Sequence, residues 1–304
     1  MTVRGYYCDH FVLPLPDGHR FPMDKYRLLR ERITHELPQV QLSVPQAAED
    51  HDILRVHTPD YLEKIVTGTL SKAEIRRIGF PWSPQLIERS RRSVGGTIAA
   101  AEAALQDGVG INLAGGTHHA FPDRGEGFCV LNDVAIAARR LQANGHIKKA
   151  LIIDLDVHQG NGTAAIFRDD PSVYTLSVHG RRNYPFHKEE SDLDVALEDG
   201  ADDHAYLHAL ETALDQAFHQ SQPDAVFFIA GADPYTGDKL GRLALTKKGL
   251  ATRDLSVLEI CRRFDLPIAL SMAGGYATQI DDIVDIHFQT VQTATTQRKT
   301  PTKL

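Results

Sequence analysis

Short apolar runs alternate with longer amphipathic segments along most of the chain, and this alternation predicts strands connected by helices. The apolar runs are rich in β-branched residues and are bounded by turn signals, which is typical of strands buried in a parallel sheet. The predicted strands are a short one at 3–8 and five longer ones at 110–114, 150–154, 173–178, 225–230 and 267–272.

Helices are predicted where a polar cap or a proline precedes an amphipathic segment. They cover 25–37, 83–106, 133–143, 163–167, 203–220, 247–264 and a last segment from about 279, with two short helical starts after 51 and 57. This order predicts one three-layer α/β domain, in which helices flank a mostly parallel central sheet. The domain is expected to span residues 1–292, followed by a polar C-terminal tail at 293–304.

Composition adds only broad limits to this picture. The 304 residues are 42% hydrophobic and 24% charged, as in ordinary globular proteins, and the net charge is −7. That charge argues against a whole-molecule attraction to nucleic acid or to an anionic membrane. Three widely spaced cysteines do not fit a disulfide framework, and no run approaches the ~20 apolar residues of a membrane helix. We therefore expect a cytoplasmic protein without a direct nucleic-acid or membrane partner.

The run that begins at Ala150 carries the densest chemistry, because Asp154, Asp156 and His158 alternate along it. Side chains two residues apart on a strand point to the same face, so two carboxylates and an imidazole converge where the strand ends. A bound cation is the simplest way to offset the cost of burying such a cluster. The competing interpretation is a solvated turn with incidental acids, which the apolar run before the cluster disfavours.

Reactive side chains follow all five of the longer predicted strands. In chain order they are His118 and His119, then Asp154, Asp156 and His158, then His179, Asp233 and Tyr276. Ligands of open α/β sheets bind outside the carboxyl ends of the strands. One pocket is therefore expected to collect most of these side chains.

Asp156, His158 and Asp233 form a candidate three-ligand metal site. Catalytic zinc commonly has three protein ligands and one open position, and this ligand set also suits Fe²⁺, Mn²⁺ and Co²⁺. The residue types therefore predict a divalent metal without deciding which one.

His118, His119 and Tyr276 are the candidate groups for moving protons and stabilising charge. Two adjacent imidazoles near a metal do not both stay protonated near pH 7, so one is expected to act as a base. The tyrosine hydroxyl is a candidate donor to an oxyanion. The competing interpretations are a histidine that caps its turn and a tyrosine in a surface loop.

Five motifs occur in an order and at a spacing that resemble the histone deacetylase family, which has the arginase–deacetylase fold. They are Gly115-Gly-Thr-His-His-Ala120, Gly127-Phe-Cys-Val-Leu-Asn-Asp133, Asp154-Leu-Asp-Val-His-Gln-Gly-Asn-Gly-Thr163, Gly231-Ala-Asp233 and Gly274-Gly-Tyr276. With His57-Thr-Pro-Asp-Tyr-Leu62 upstream, the resemblance covers nearly the whole chain. Gln159 and Asn161 resemble the class IV branch and its bacterial amidohydrolase relatives.

The resemblance implies zinc-dependent hydrolysis of an N-acyl lysine amide, acetyl or longer, by a metal-activated water. The implied metal ligands are Asp156, His158 and Asp233; the implied catalytic residues are His118 with its partner Asp154, His119 with its partner Asn161, and the carbonyl-polarising Tyr276. The resemblance also implies a structural potassium ion, with Asp154, Asp156, His158, Ser177 and Val178 as ligands. Asn161 stands where many relatives carry aspartate, so the pKa of His119 is expected to be tuned differently.

The same resemblance implies an acyl-lysine channel and leaves its substrate open. The channel residues are Phe128, Tyr184 and Leu240, together with Gly127 and Asp60. Acetylpolyamine hydrolases and hydrolases of other small N-acyl amines share these motifs, and Fe²⁺ or Co²⁺ stays an alternative to zinc. The oligomeric state is also left open.

Two other classes of protein are weaker alternatives. A dinuclear hydrolase like arginase needs another carboxylate two residues after Asp233, and Pro234-Tyr-Thr-Gly-Asp238 does not supply it. A non-catalytic module that binds acyl-lysine is disfavoured because every catalytic position is filled.

Overall fold

One sheet of eight strands forms the centre of the structure, a computed structural model that describes residues 3–296. The strands are β1 (Val3–Tyr6), β2 (Val40–Ser43), β3 (Val109–Asn112), β4 (Ala150–Asp154), β5 (Val173–Gly180), β6 (Leu193–Leu197), β7 (Ala225–Ala230) and β8 (Ile268–Met272). They lie in the order β2-β1-β3-β8-β7-β4-β5-β6, and every neighbouring pair is parallel. All eight carboxyl ends therefore meet the same edge of the sheet.

Ten helices in the described part of the chain connect and cover these strands. They are α1 (Asp24–Glu36), α2 (Asp50–Ile53), α3 (Pro59–Thr67), α4 (Lys72–Ile78), α5 (Pro84–Asp107), α6 (Asp133–Ala143), α7 (Asn161–Phe167), α8 (Asp203–Ser221), α9 (Lys247–Arg263) and α10 (Ile280–Thr296). Side chains of Ser83, Asn132, Asp202 and Thr246 accept a backbone hydrogen bond at the start of α5, α6, α8 and α9. Within residues 3–296, no helix is long and apolar enough to cross a membrane.

Helices cover both faces of the sheet and give two apolar cores. On β4, Leu151 and Ile153 belong to the core packed by α1, α8, α9 and α10, whereas Ile152 belongs to the core packed by α3, α5 and α6. This alternation follows from the two-residue period of a strand and explains why the run is apolar at every position. Cys8, Cys129 and Cys261 are buried as free thiols.

The predicted α/β fold with three layers is confirmed, and the sheet is wholly rather than mostly parallel. Three elements were not predicted, namely β2, α4 and β6. Two of them are edge strands of four and five residues with partly exposed positions. The third buries Ile78 alone, so it carries no apolar periodicity.

The predicted polar tail begins too early. Helix α10 continues to Thr296, with Ala294 and Thr295 buried, so 293–296 belong to the domain, and 297–304 lie outside the described residues. The hydroxyls of Thr293 and Thr295 donate to carbonyls of the preceding turn, at 2.8 and 2.7 Å. A threonine-rich segment can therefore stay helical when it continues an apolar face.

Candidate active site

Five adjacent strands in the middle of the sheet carry the reactive side chains at their carboxyl ends. Those strands are β3, β8, β7, β4 and β5. Most of the side chains meet in one cavity of about 730 Å³, a size typical of small-molecule sites. Its lining includes His118, His119, Asp156, His158, Asp233 and Tyr276.

Asp156, His158 and Asp233 form a buried group whose ligand atoms all lie within 4.8 Å of one another. His158 Nδ1 lies 2.9 Å from Asp156 Oδ1 and 3.3 Å from Asp233 Oδ2. Backbone groups hold the carboxylates in place: Val157 N–H donates to Asp233 Oδ1 and Gly274 N–H donates to Asp156 Oδ2, both at 2.9 Å.

The chemistry of this group fits a divalent cation. Asp233 Oδ2 is buried and accepts no hydrogen bond among the described residues. Burial and the nearby Asp156 carboxylate raise the pKa of Asp233 to about 7. Burial lowers the pKa of His158, but the two carboxylates outweigh it and raise that pKa to about 10. A Cβ at Gly274 would overlap Asp233 Oδ2, so only glycine leaves this oxygen accessible. A cation bound here would offset the repulsion between the two carboxylates and would give Asp233 Oδ2 a partner.

His118 is paired with Asp154. Its Nδ1 lies 2.6 Å from Asp154 Oδ2, and both side chains are buried. Burial lowers the pKa of His118, but the carboxylates of Asp154 and Asp156 more than offset this and raise it to about 9. Asp154 also accepts a hydrogen bond from Asp156 N–H, so one carboxylate orients both a histidine and a candidate metal ligand.

His119 is held as a neutral base by two side chains in succession, Asn161 and Glu126. Its Nδ1 lies 2.7 Å from Asn161 Oδ1, and Asn161 Nδ2 donates to Glu126 Oε1 at 2.6 Å. Because Glu126 Oε1 accepts from the amide nitrogen of Asn161, the amide oxygen is directed toward His119. The imidazole proton then lies on Nδ1 and leaves Nε2 free to accept one. Burial, followed by His118 and His158, holds the pKa of His119 well below its usual value.

Tyr276 enters the cavity on a loop that is fixed from two sides. Asp238 Oδ2 accepts a hydrogen bond from Tyr276 N–H at 2.6 Å, and Lys25 Nζ donates to Ala273 O at 3.0 Å. The same ammonium group lies 5.5 Å from the centre of the Tyr276 ring. Burial and the carboxylate of Asp233 raise the pKa of Tyr276 far above neutrality, so its hydroxyl stays protonated and can donate.

Aromatic and apolar side chains form the walls of the cavity. Phe128, Tyr184, Leu240 and Gly127 all line it. Gly127 N–H donates to the carbonyl of Arg77, and Phe128 N–H donates to the carbonyl of Ile78. Helix α4 therefore supports this wall. Gly127 has a φ of +58°, and a Cβ there would lie 2.6 Å from His119 Cδ2.

Asp60 and His179 lie away from the cavity, whereas Asp154 and Asn161, also absent from its lining, contact the lining residues His118 and His119. Asp60 lies in the first turn of α3, where its exposed carboxylate pairs with Lys64 at 2.8 Å. Its expected place in the channel is therefore corrected to the outer surface. His179 is buried at the end of β5 and contacts Ser177 Oγ at 3.0 Å instead of lining the cavity.

Glu126 and Lys25 are site residues that sequence reasoning did not identify. Glu126 lies in a polar segment whose composition is typical of a solvated loop, although it directly precedes the Gly127 motif. Lys25 begins an amphipathic helix, where a lysine usually faces solvent. No local signal announces that either side chain is buried.

Comparisons with known proteins agree with this geometry. The histone deacetylase domain family matches residues 19–291. An uncharacterised protein of Picosynechococcus sp. is 46% identical over 283 residues, covering 92% of this chain and 94% of that protein. Histone deacetylase 2 of Arabidopsis thaliana is 34% identical over 76% of this chain and 62% of its own length. The crystal structure of an HDAC homologue from Aquifex aeolicus covers 100% of this chain and 86% of its own, with 24% identity and a TM-score of 0.84, and thus shares the fold. The chain therefore belongs to the histone deacetylase family of hydrolases.

Proposed function

We propose that this protein hydrolyses the amide of an N-acyl lysine side chain in a metal-dependent reaction. The observation that carries the proposal is the position of a neutral histidine, His119, beside a buried three-ligand group at the base of an aromatic-walled cavity. An acyl-lysine has a slender apolar stem and an amide at its tip, which matches such a cavity.

Asp156, His158 and Asp233 would hold the metal. Zinc is the metal we propose, since three protein ligands and an open position are typical of catalytic zinc, with Fe²⁺ and Co²⁺ as alternatives. A divalent cation held there would polarise the amide carbonyl and lower the pKa of a water molecule toward 7.

The protein's own side chains supply the remaining steps. His119 Nε2 accepts a proton from the attacking water, because its Nδ1 proton is held by Asn161. The Tyr276 hydroxyl donates to the oxyanion that forms on the acyl carbon. A protonated imidazole of the histidine pair then donates a proton to the leaving lysine nitrogen. The ion pair of protonated His118 with Asp154 lies next to the site of this proton transfer.

We also propose that the ends of β4 and β5 hold a structural potassium ion. The strand register places Ser177 beside Asp154, and Val178 follows on the same strand. Hydroxyl, carboxylate and backbone oxygens are the ligands that a hard cation prefers. This ion would contact Asp154, the carboxylate that also pairs with His118.

The proposal is tested with lysine peptides carrying acetyl or longer acyl groups and with acetylated polyamines, each assayed with the zinc, iron and cobalt forms. We expect release of the free acid and the free lysine amine from at least one acyl-lysine peptide, and loss of turnover after chelation. Binding of these peptides without hydrolysis by any metal form would contradict the proposal and favour a non-catalytic module.

The chain of side chains behind His119 gives a further prediction. Glu126→Ala removes the acceptor that orients Asn161, so the amide can turn and present its NH₂ group to His119. We expect kcat to fall by about 10- to 100-fold, a loss typical of removing a partner that orients an active-site ligand. Glu126→Gln keeps a carbonyl oxygen at this position and is expected to retain most of the activity.

Tyr184→Phe is the matched control for that experiment. Tyr184 donates to the same Glu126 oxygen at 3.0 Å, so this variant removes one bond to Glu126 without releasing Asn161. We expect it to change KM rather than kcat. Equal kcat values for Glu126→Ala and the unaltered protein would refute the positioning role of Glu126.

A further inference from the structure

Five arginines line the mouth of the cavity, and all five side chains are exposed. They are Arg20, Arg76, Arg77, Arg182 and Arg242. The carboxylates that line the cavity are Asp156 and Asp233, which are buried at its base within the candidate metal group. The mouth therefore carries positive charge, and no described residue that lines it supplies a carboxylate to offset that charge.

Ion pairing neutralises only part of this charge. Arg182 and Arg242 share the carboxylate of Asp199, at 3.9 and 3.2 Å. Within residues 3–296, Arg20 and Arg76 form no ion pair and no side-chain hydrogen bond. The protein as a whole has 33 basic and 40 acidic residues, so this concentration of arginine is opposite in sign to its net charge.

Two of the five arginines are attached to a helix that also supports the wall of the cavity. Arg76 and Arg77 lie in the last turn of α4, whose first turn is closed by a capping box between Ser71 and Glu74. The carbonyl of Arg77 accepts the hydrogen bond from Gly127 N–H. The backbone that carries Arg76 and Arg77 therefore has a fixed position relative to the channel.

We infer that this arginine rim selects acyl-lysines that are flanked by acidic residues in a polypeptide, and that it disfavours acetylpolyamines. The inference rests on the proposed function and specifies its substrate class. Acylation removes the charge of the lysine, so the tip that enters the cavity meets no repulsion. Carboxylates on either side of it remain outside, where guanidinium groups bind them in a planar, two-point geometry.

An acetylpolyamine presents the opposite charge to the same rim. Its unacylated amines are protonated at neutral pH and would lie among the arginines when its amide reaches the base. Like charges brought together in this way oppose binding. Phe186, with 81% of its surface exposed beside Tyr184, adds an apolar contact at the mouth that suits a polypeptide better than a small polycation.

The test compares two peptides with the same acyl-lysine, one with flanking glutamates and one with flanking lysines, and a monoacetylated polyamine. Binding is measured by fluorescence anisotropy or calorimetry, and kcat/KM by amine release. At an ionic strength of about 0.02 M we expect the acidic peptide to bind at least ~10-fold more tightly than the basic one. Because the rim is exposed, this ratio should fall toward about 2-fold near 0.5 M salt.

Variants locate the effect on the rim. Arg20→Gln combined with Arg76→Gln should reduce the binding ratio by ~3-fold or more, since each exposed charge contributes a few-fold at most. Arg263→Gln on α9, which removes an exposed arginine away from the cavity, is the control and should keep the ratio. Equal affinity for the two peptides, or tighter binding of the polyamine, would overturn the inference. A retained preference without turnover would instead refute the proposed function alone.

Discussion

Replacing Asp233 by asparagine is expected to abolish metal binding while leaving the fold intact. The carboxylate is wholly buried, its Oδ1 accepts from Val157 N–H, and its Oδ2 has no hydrogen-bond donor among the described residues. The asparagine carbonyl can keep the bond to Val157, but its NH₂ group cannot ligate a cation. Metal content by elemental analysis should fall from one ion per chain to nearly none, and turnover by more than about 100-fold.

The thermal stability of the metal-free forms provides an independent readout. In the metal-free protein, burial and the carboxylate of Asp156 raise the pKa of Asp233 to about 7, so its charged form is disfavoured and a neutral amide removes that cost. We therefore expect the Tm of the metal-free variant to be no lower than the Tm of the metal-free parent. Metal should raise the Tm of the parent, because a ligand at 100 times its Kd adds about 2.7 kcal/mol to the stability of the native state, and it should not raise that of the variant.

Asp52→Asn is the matched control, because it makes the same chemical change at a buried aspartate that pairs with Arg140 rather than with the metal group. It should keep the metal content of the parent. Full metal occupancy in the Asp233→Asn protein would show that this aspartate is not a ligand.

The residues of β4 explain why the centre of the site can be predicted from the sequence. Asp154 ends the strand, and Asp156 and His158 follow at the same two-residue spacing after an apolar run. The two-residue period of a strand and the position of sites at strand carboxyl ends can both be recognised from a few consecutive residues. The convergence of five strand ends follows from the parallel order of the sheet, which the βα alternation predicts.

Glu126 shows what local reasoning cannot reach. Its partners Asn161 and Tyr184 are 35 and 58 residues away along the chain, and nothing near Glu126 marks its side chain as buried. A carboxylate in a polar loop is ordinarily solvated, and its environment depends on how that loop packs against α7 and the channel wall. The orientation of Asn161, and with it the tautomer of His119, is therefore a property of the folded protein.

Two of the five rim arginines, Arg76 and Arg77, lie on α4, a helix that the sequence pattern does not predict. The Ser71 and Glu74 capping box is a local signal for a helix start, but seven residues with one buried side chain give no periodic pattern to support it. Without a predicted helix, nothing in the local sequence relates Arg76 and Arg77 to the cavity. Their place at the mouth follows only from the hydrogen bonds that join α4 to Gly127 and Phe128.

Tyr276→Phe is expected to lower kcat by about 10²- to 10³-fold, the usual consequence of removing one donor to an oxyanion. The hydroxyl is the only group lost, since the ring contacts with Phe128 and Lys25 and the backbone bond to Asp238 do not require it. KM, metal content and Tm should therefore stay close to those of the parent. Tyr235→Phe, on the loop after β7 and outside the cavity lining, is the control and should turn over normally.

The division between kcat and KM decides what Tyr276 does. If its hydroxyl only bound the substrate amide, removing it would raise KM and leave kcat unchanged, because the binding of the substrate and of the transition state would be weakened equally. A donor to the oxyanion is used when charge develops on the acyl oxygen, so its loss lowers kcat and kcat/KM by the same factor. Near-normal turnover of Tyr276→Phe would remove the tyrosine from the mechanism and leave the oxyanion to the cation alone.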